Sequence, residues 1–304
     1  MRRRLRRRYQ DVRALPVRPS ALRARSARIR EGGTRRAAGS LTLVAVVVVV
    51  LVPIAFMVGT SFKSNAETTQ DLHLWPHAWT FANYSRLFGE NFFGQYLRNS
   101  VVVCGASVLL SLVAGSLAAY SLARFKLLLG LEKRLGFAIL TVRILPPVVI
   151  VVPLFLVALK LHLLNSWLGL ILVYSAFNVS FVVWMMESFF REIPIDLEEA
   201  SMVDGSSRMV AFRRIVLPLA APGLVATAIF AVIVTYNEFL LALVLTSTPG
   251  SETVPVGAST LITRIDIDWG AMSAAGTLAA IPIVGFALLV QRHLVRGLTL
   301  GAIK

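Results

Sequence analysis

Cysteine, charge and catalytic signatures are all scarce in this chain. Cys104 is the single cysteine among 304 residues, so no disulfide can close within the chain. No CxxC or Cys/His spacing surrounds it to hold a metal. The histidines, His73, His77, His162 and His293, are scattered and make no HExxH pattern. The GxxxxGK[ST] phosphate loop, the GxSxG elbow and the EF-hand pattern are missing too. The chain is therefore not expected to cradle ATP phosphates by itself, and no catalytic residue, metal or cofactor is expected in it. Charged residues make up 15% of the chain, against roughly 25% in soluble domains. Inside the apolar runs there is no series of acids of the kind that proton-coupled transporters use, and no inverted repeat that would favour a secondary carrier.

What the chain does have is hydrophobic length. Its residues are 56% hydrophobic, an excess that a soluble core of ordinary size does not accommodate. The net charge is +15, but residues 1–40 hold fourteen arginines against Asp11 and Glu31. The remainder is close to neutral, so there is no basic face for nucleic acid. A helix needs about 20 mostly apolar residues to cross the hydrocarbon layer. Six segments qualify, at about 41–62, 99–123, 135–159, 166–187, 217–245 and 269–291. The expected fold is an all-α integral membrane protein with six transmembrane helices and one membrane domain over 41–296. A basic tail (1–40) precedes it and a short tail (297–304) follows.

Lys/Arg bias sets the orientation. The arginine block, Arg124, Lys126, Lys133 and Arg134 in one loop, and the four arginines of 187–216 fall on one side. Both termini are then expected on the cytoplasmic side of the membrane. The outer loop 63–98 is rich in aromatics, among them Trp75, Trp79, Phe81, Tyr84 and Phe88. It reads as an interfacial belt with a short amphipathic helix, or as a docking surface for an external partner.

One polar island interrupts the apolar pattern at 194–218. Asp196 followed by Glu199 reads as a capping-box-like helix start with an acidic first turn. The helix "LEEASMV" should stop near Gly205. A second helix would then place Met209, Val210, Phe212, Ile215 and Val216 on an apolar side, with Arg208, Arg213 and Arg214 solvated. Pro218 and Pro222 mark re-entry to the membrane. From physics alone, a solvated connector explains this stretch as well as a docking surface does.

At these residues the chain resembles a family. "EEASMVDGSSRMVAFRRIVLP" is similar to the EAA loop of bacterial ABC-importer permeases: E-A-A, three residues, G, nine residues, I, one residue, L-P. Glu199, Ala200 and Ser201 fill the triplet, Gly205 the glycine, and Ile215, Leu217 and Pro218 the end. Ser201 departs from the second alanine, but is small and helix-compatible. The stretches "FANYSRLF", "YLRNSVVV", "AAYSLARF", "RILPPVVIVVPLF", "YNEFLLALVLT" and "RGLTLGAIK" resemble the carbohydrate-importer branch, whose members are MalG-like type I permeases.

The resemblance implies a permease subunit for a sugar, oligosaccharide or polyol. Its partners would be a second, MalF-like permease, two nucleotide-binding ATPase subunits that hold ATP and Mg, an extracytoplasmic binding protein or lipoprotein, and the lipid bilayer. An importer of another solute class, or a membrane enzyme or scaffold, are the alternatives. It implies too that the helix before the glycine docks on an ATPase subunit, which makes Glu198, Glu199, Ala200, Ser201, Asp204 and Gly205 the coupling element. Polar residues inside the spans are pathway candidates: Arg143, Tyr174, Asn178, Tyr236, Asn237 and Glu238. For Glu238 two roles stand side by side, hydrogen bonding to sugar hydroxyls and an internal ion pair with Arg143.

Overall fold

The computed structural model describes residues 19–70, 73–126, 131–262 and 267–301; the side chains of 19–38, 70, 131–133, 140, 142, 143 and 292–301 lie outside that description. Among the described residues the chain is helical, and the β-type pairing seen is an isolated bridge between Ile262 and Ile267. It forms two compact units, residues 1–56 and 57–304. The first is the body of helix α1 (Pro19–Ser61), whose last residues belong to the second unit. Its run from Leu41 to Ile54 is exposed valine, leucine and isoleucine, as expected of a helix whose solvent is lipid.

The second unit is built on two long helices, α4 (Phe93–Arg124) and α7 (Trp167–Glu192), numbered after α2 (Asn65–Gln70), α3 (Ala82–Gly89), α5 (Leu131–Ile144) and α6 (Pro147–Lys160). Helices α4 and α7 run parallel. The Trp167 indole N–H donates to Asn99 Oδ1 at 3.2 Å, Ser175 to the Ser107 carbonyl at 3.3 Å, and Arg124 to the Ile193 carbonyl at 2.9 Å. Ser107, Ser111, Gly115 and Ala119 recur every fourth residue on the buried side of α4. That spacing makes a stripe of small side chains along which two backbones can approach closely. At Gly115 a Cβ would fall 2.6 Å from Val182 Cγ1, so glycine is required by the contact itself. Ser166 caps α7, accepting from the Gly169 N–H at 3.1 Å.

Two of the expected spans are not single helices. The segment 135–159 is divided between α5 and α6, each of 14 residues, at Leu145–Pro146. Pro147 opens α6 because its missing N–H is one that a first turn leaves unpaired anyway, while the proline pair removes ladder bonds that a continuous helix needs. The segment 217–245 is broken more often. It comprises α10 (Leu217–Leu219), α11 (Ala221–Tyr236) and α12 (Leu240–Leu245). The helices on either side of Ala220 meet at 74°. Among the described residues, four helices are long and apolar enough to cross a membrane, Gly39–Ser61, Phe93–Arg124, Trp167–Glu192 and Trp269–Gln291, with a fifth if the bent pair is one span. The last of these lies in α14 (Trp269–Gly301), which follows the short α13 (Val254–Ser259).

Helix α11 runs antiparallel to its neighbours. Thr227 lies against Met186, and Asn178 donates to Thr235 Oγ1 at 2.6 Å. The second unit therefore has two ends. One gathers Arg124, Ile193 and the polar island; the other gathers Asn99, Trp167 and the turn at 246–253.

Candidate functional site

The polar island folds as a short helix, α8 (Asp196–Val203), a glycine turn, a four-residue helix α9 (Arg208–Ala211) and one π-helical turn over Phe212–Val216. Gly205 has φ +88°, the left-handed conformation that only glycine adopts without strain. Its N–H donates to the Met202 carbonyl at 3.1 Å and the Ser206 N–H to the Ser201 carbonyl at 3.0 Å, so the carbonyls at the end of α8 are satisfied by the turn. Gly205 is the helix stop that its position in the sequence suggested.

The start of α8 differs from the capping-box expectation. Ile195 stands at the cap with no side-chain bond, and neither Asp196 nor Glu199 closes a box. The pairing of the two adjacent glutamates also separates. Glu199 and Ala200 are exposed, as are Asp204 and Gly205, and Ser201 is half-buried. Glu198 is 3% exposed and is the one buried residue of α8. Its carboxylate accepts from Arg124 Nε at 2.6 Å and from the Tyr120 hydroxyl at 2.5 Å.

The second expected helix is shorter and less amphipathic than its sequence suggests. Met209 is 53% exposed, whereas Phe212 and Val216 are buried and Ile215 and Leu217 are half-buried. The π turn rotates the chain so that Phe212 packs on Tyr120 at 4.6 Å between ring centroids and on Phe190 at 5.9 Å. Pro218 is exposed within α10, just before the bend. Ser207, not an acid, caps α9, accepting from the Val210 N–H at 3.4 Å.

The pathway candidates fall into two groups. Tyr174, Asn178 and Glu238 line one cavity of about 250 Å³ with Phe177, Thr235 and Leu241. Glu238 Oε2 accepts from the Tyr174 hydroxyl at 2.7 Å. The same carboxylate accepts from the Leu241 N–H at 2.8 Å and the Ala242 N–H at 3.2 Å. It therefore holds the first turn of α12, where N–H groups would otherwise be unpaired. Of the two roles open for Glu238, the described partners are neither: they are a tyrosine and a helix start. The Arg143 side chain lies outside the described residues.

Tyr236 and Asn237 face elsewhere. The Tyr236 hydroxyl is buried and has no hydrogen-bond partner among the described residues. Its ring borders a cavity of about 330 Å³ with Cys104, Val108 and Ile283, and another of about 380 Å³ with Asn237, Pro255 and Gly276. Asn237 is exposed and donates to the Ile233 carbonyl at 2.8 Å.

Two asparagines at the opposite end were not singled out in the sequence. Asn99, fully buried, donates to the Pro249 and Glu252 carbonyls at 2.9 and 2.8 Å. Asn165, at φ +55°, accepts through Oδ1 from the Ser247 and Thr248 N–H groups, each at 3.1 Å, and from Ser251. Together they pin the 246–253 turn onto α4 and the start of α7. A lone asparagine carries no sequence signal of that kind, because its partners are 68 or more residues away.

The aromatics of 63–98 partly gather on Phe62. Trp79 and Phe81 lie 5.3 Å from its ring and Tyr84 5.2 Å. Trp75 and Trp79 stack at 6.2 Å, and both are exposed.

Comparison with known proteins gives this arrangement a family. The family model described as "Binding-protein-dependent transport system inner membrane component" matches residues 111–300. The trehalose transport system permease protein SugB of Mycobacterium tuberculosis is 37% identical over 275 residues, 90% of this chain and 99% of the relative. The trehalose/maltose transport system permease protein MalG of Thermococcus litoralis is 35% identical over 263 residues, 84% of this chain and 92% of the relative. Among solved structures, a chain of a bacterial ABC transporter involved in the import of the acidic polysaccharide alginate superimposes with a TM-score of 0.68. It is 22% identical, covering 88% of this chain and 97% of that one.

Proposed function

The chain belongs to the binding-protein-dependent transport inner-membrane family, and from that premise we propose that it is the permease subunit of an ATP-driven importer for a carbohydrate. The observation that carries this reading is α8: a short helix with an exposed outer side, ended by a left-handed glycine. It stands at one end of a bundle otherwise made of apolar helices. A rigid helix with a defined stop is what transmitting a rigid-body push requires. Glu199, Ala200, Ser201, Asp204 and Gly205 form the surface that a cytoplasmic ATPase subunit grips, and Ile215, Leu217 and Pro218 carry the movement into the bend before α11. ATP and Mg are held by two such subunits, not by this chain. A second permease completes the pathway, and an extracytoplasmic binding protein delivers the solute.

The bundle crosses the plasma membrane of a bacterial cell six times with both termini inside. Supporting the sixth crossing is the parallel course of α4 and α7. The chain leaves α4 at the end that holds the polar island and enters α7 at the other, so α5 and α6 together must return across the bilayer. The carbohydrate assignment rests on relatives named for trehalose and maltose. Within the pathway, the cavity lined by Tyr174, Asn178 and Glu238 and the one lined by Asn237 are the places where sugar hydroxyls are met.

The test is reconstitution. The chain, expressed with its neighbouring permease, ATPase and binding-protein genes, should co-purify with the ATPase subunit. In proteoliposomes it should take up labelled disaccharide only with ATP. Purification of the chain alone, with no ATPase subunit and no ATP-dependent uptake, would reject the proposal.

A further inference from the structure

The attachment of α8 to the bundle is unusual in kind. The apolar cluster beneath it comprises Tyr120, Met186, Phe190, Phe212 and Val216 among others, and includes no residue of α8. Every other residue of that helix is exposed or half-buried. Its buried contact with α4 is a carboxylate, Glu198, met by the guanidinium of Arg124 and the hydroxyl of Tyr120. The side chains of the ion pair are 6% and 4% exposed.

Arg124 is bound twice over. Its Nε holds Glu198 and its Nη2 donates to the Ile193 carbonyl at the end of α7. One side chain thus joins the end of α4, the end of α7 and α8. Tyr120 is fixed in turn by Phe212 at 4.6 Å and Phe190 at 6.0 Å. An apolar contact is non-directional and lets a short helix slide or roll. A charge-assisted, hydrogen-bonded pair has a preferred geometry, and once desolvated it is costly to pull apart.

We propose that Tyr120, Glu198 and Arg124 form a polar latch that makes α8 move as one body with α4 and α7, so that force applied to α8 is delivered to the bundle instead of being spent on rotating the helix. Glu198 is a positioning residue: it faces inward, away from the exposed Glu199 and Ala200 that meet the partner. The latch rests on the reading of α8 as the element gripped by an ATPase subunit, and it specifies how that grip is transmitted.

The two ideas fail differently. In the reconstituted transporter, Glu198→Gln removes the charge and keeps the shape. The ATPase subunit should still co-purify, because the exposed side of α8 is unchanged, and ATP should still be hydrolysed. The solute moved per ATP should fall roughly ten-fold or more, since one partner of a buried pair is left unmatched. Tyr120→Phe, which keeps the ring among Phe190 and Phe212, should lower the same ratio by a smaller factor of about 2–5, as loss of one hydrogen bond predicts. This second variant guards against Glu198→Gln failing to fold. An unchanged ratio in both variants overturns the latch, and so does loss of ATPase co-purification in Tyr120→Phe, which would make the group a docking element. A wild-type chain that never binds an ATPase subunit overturns the proposed function, and the latch with it.

Discussion

Replacing Gly205 tests backbone geometry with little added crowding inside the chain. The residue sits at φ +88°, and a Cβ added there would meet nothing within 4 Å. Within the chain a Cβ is therefore not crowded, and because asparagine is bulkier than alanine, the order of those two variants separates backbone handedness from crowding against the partner. An L-residue in left-handed backbone costs about 1–2 kcal/mol. Asparagine is tolerated there, whereas a β-branched residue is a true outlier. If the strain is relieved by letting the helix continue, the Ser206 N–H leaves the Ser201 carbonyl, now 3.0 Å away, and the chain exits α8 in another direction. A penalty of that size lowers the population of the proper stop about 5- to 30-fold relative to the continued helix. The expected order for ATP-driven uptake in proteoliposomes is Gly, then Gly205→Asn, then Gly205→Ala, with Gly205→Val lowest. ATP hydrolysis should persist longer than transport along the series. Wild-type uptake by the valine variant, or a poorer asparagine than alanine variant, would show that backbone handedness is not what matters.

Other substitutions probe the bundle. Gly115→Ala should lower the unfolding midpoint of the purified protein in detergent by the equivalent of about 1–3 kcal/mol, the usual cost of overpacking, because its Cβ would meet Val182. Gly105→Ala on the same helix, with open space around it, should leave the midpoint in place or raise it. Glu238→Ala removes the acceptor for two N–H groups and leaves the Tyr174 hydroxyl unpaired; a loss of about 2–4 kcal/mol is expected, against almost none for the exposed Asn237→Ala. Equal losses for those two would contradict the role given to Glu238. Asn165→Gly keeps the left-handed backbone but deletes the acceptor for the 246–253 turn, so faster proteolysis there is expected, and Asn165→Ala should be worse because it adds strain.

Much of the island was legible because its information is local. A glycine at the end of an eight-residue amphiphile stops a helix whatever surrounds it, and proline pairs interrupt helices by their own chemistry. Where the reading went astray, the competing interactions came from afar. Asp196 and Glu199 have the spacing of a capping box, yet Glu198 between them is the acid that is used. Arg124 and Tyr120, more than seventy residues upstream, reach it and none of its neighbours. Met209 has the period of a buried residue but is exposed, because the π turn after it changes the rotation of the chain. Glu238 lines a cavity, as an isolated intramembrane acid is expected to, but its partners, Tyr174 and the start of α12, were not readable from the sequence.

What the sequence determined alone was the solvent and the inventory: apolar runs long enough for a bilayer, a polar island between them, and a helix stop. These follow from composition, spacing and backbone preference, which do not depend on distant contacts. Tertiary structure alone decided that α4 and α7 run parallel, how sharply the chain bends at Ala220, and which of two adjacent glutamates faces the bundle. Each of these depends on where a distant donor or small residue lies in space, and hydrogen bonds and close helix contacts act over a few ångströms, however many residues separate the partners.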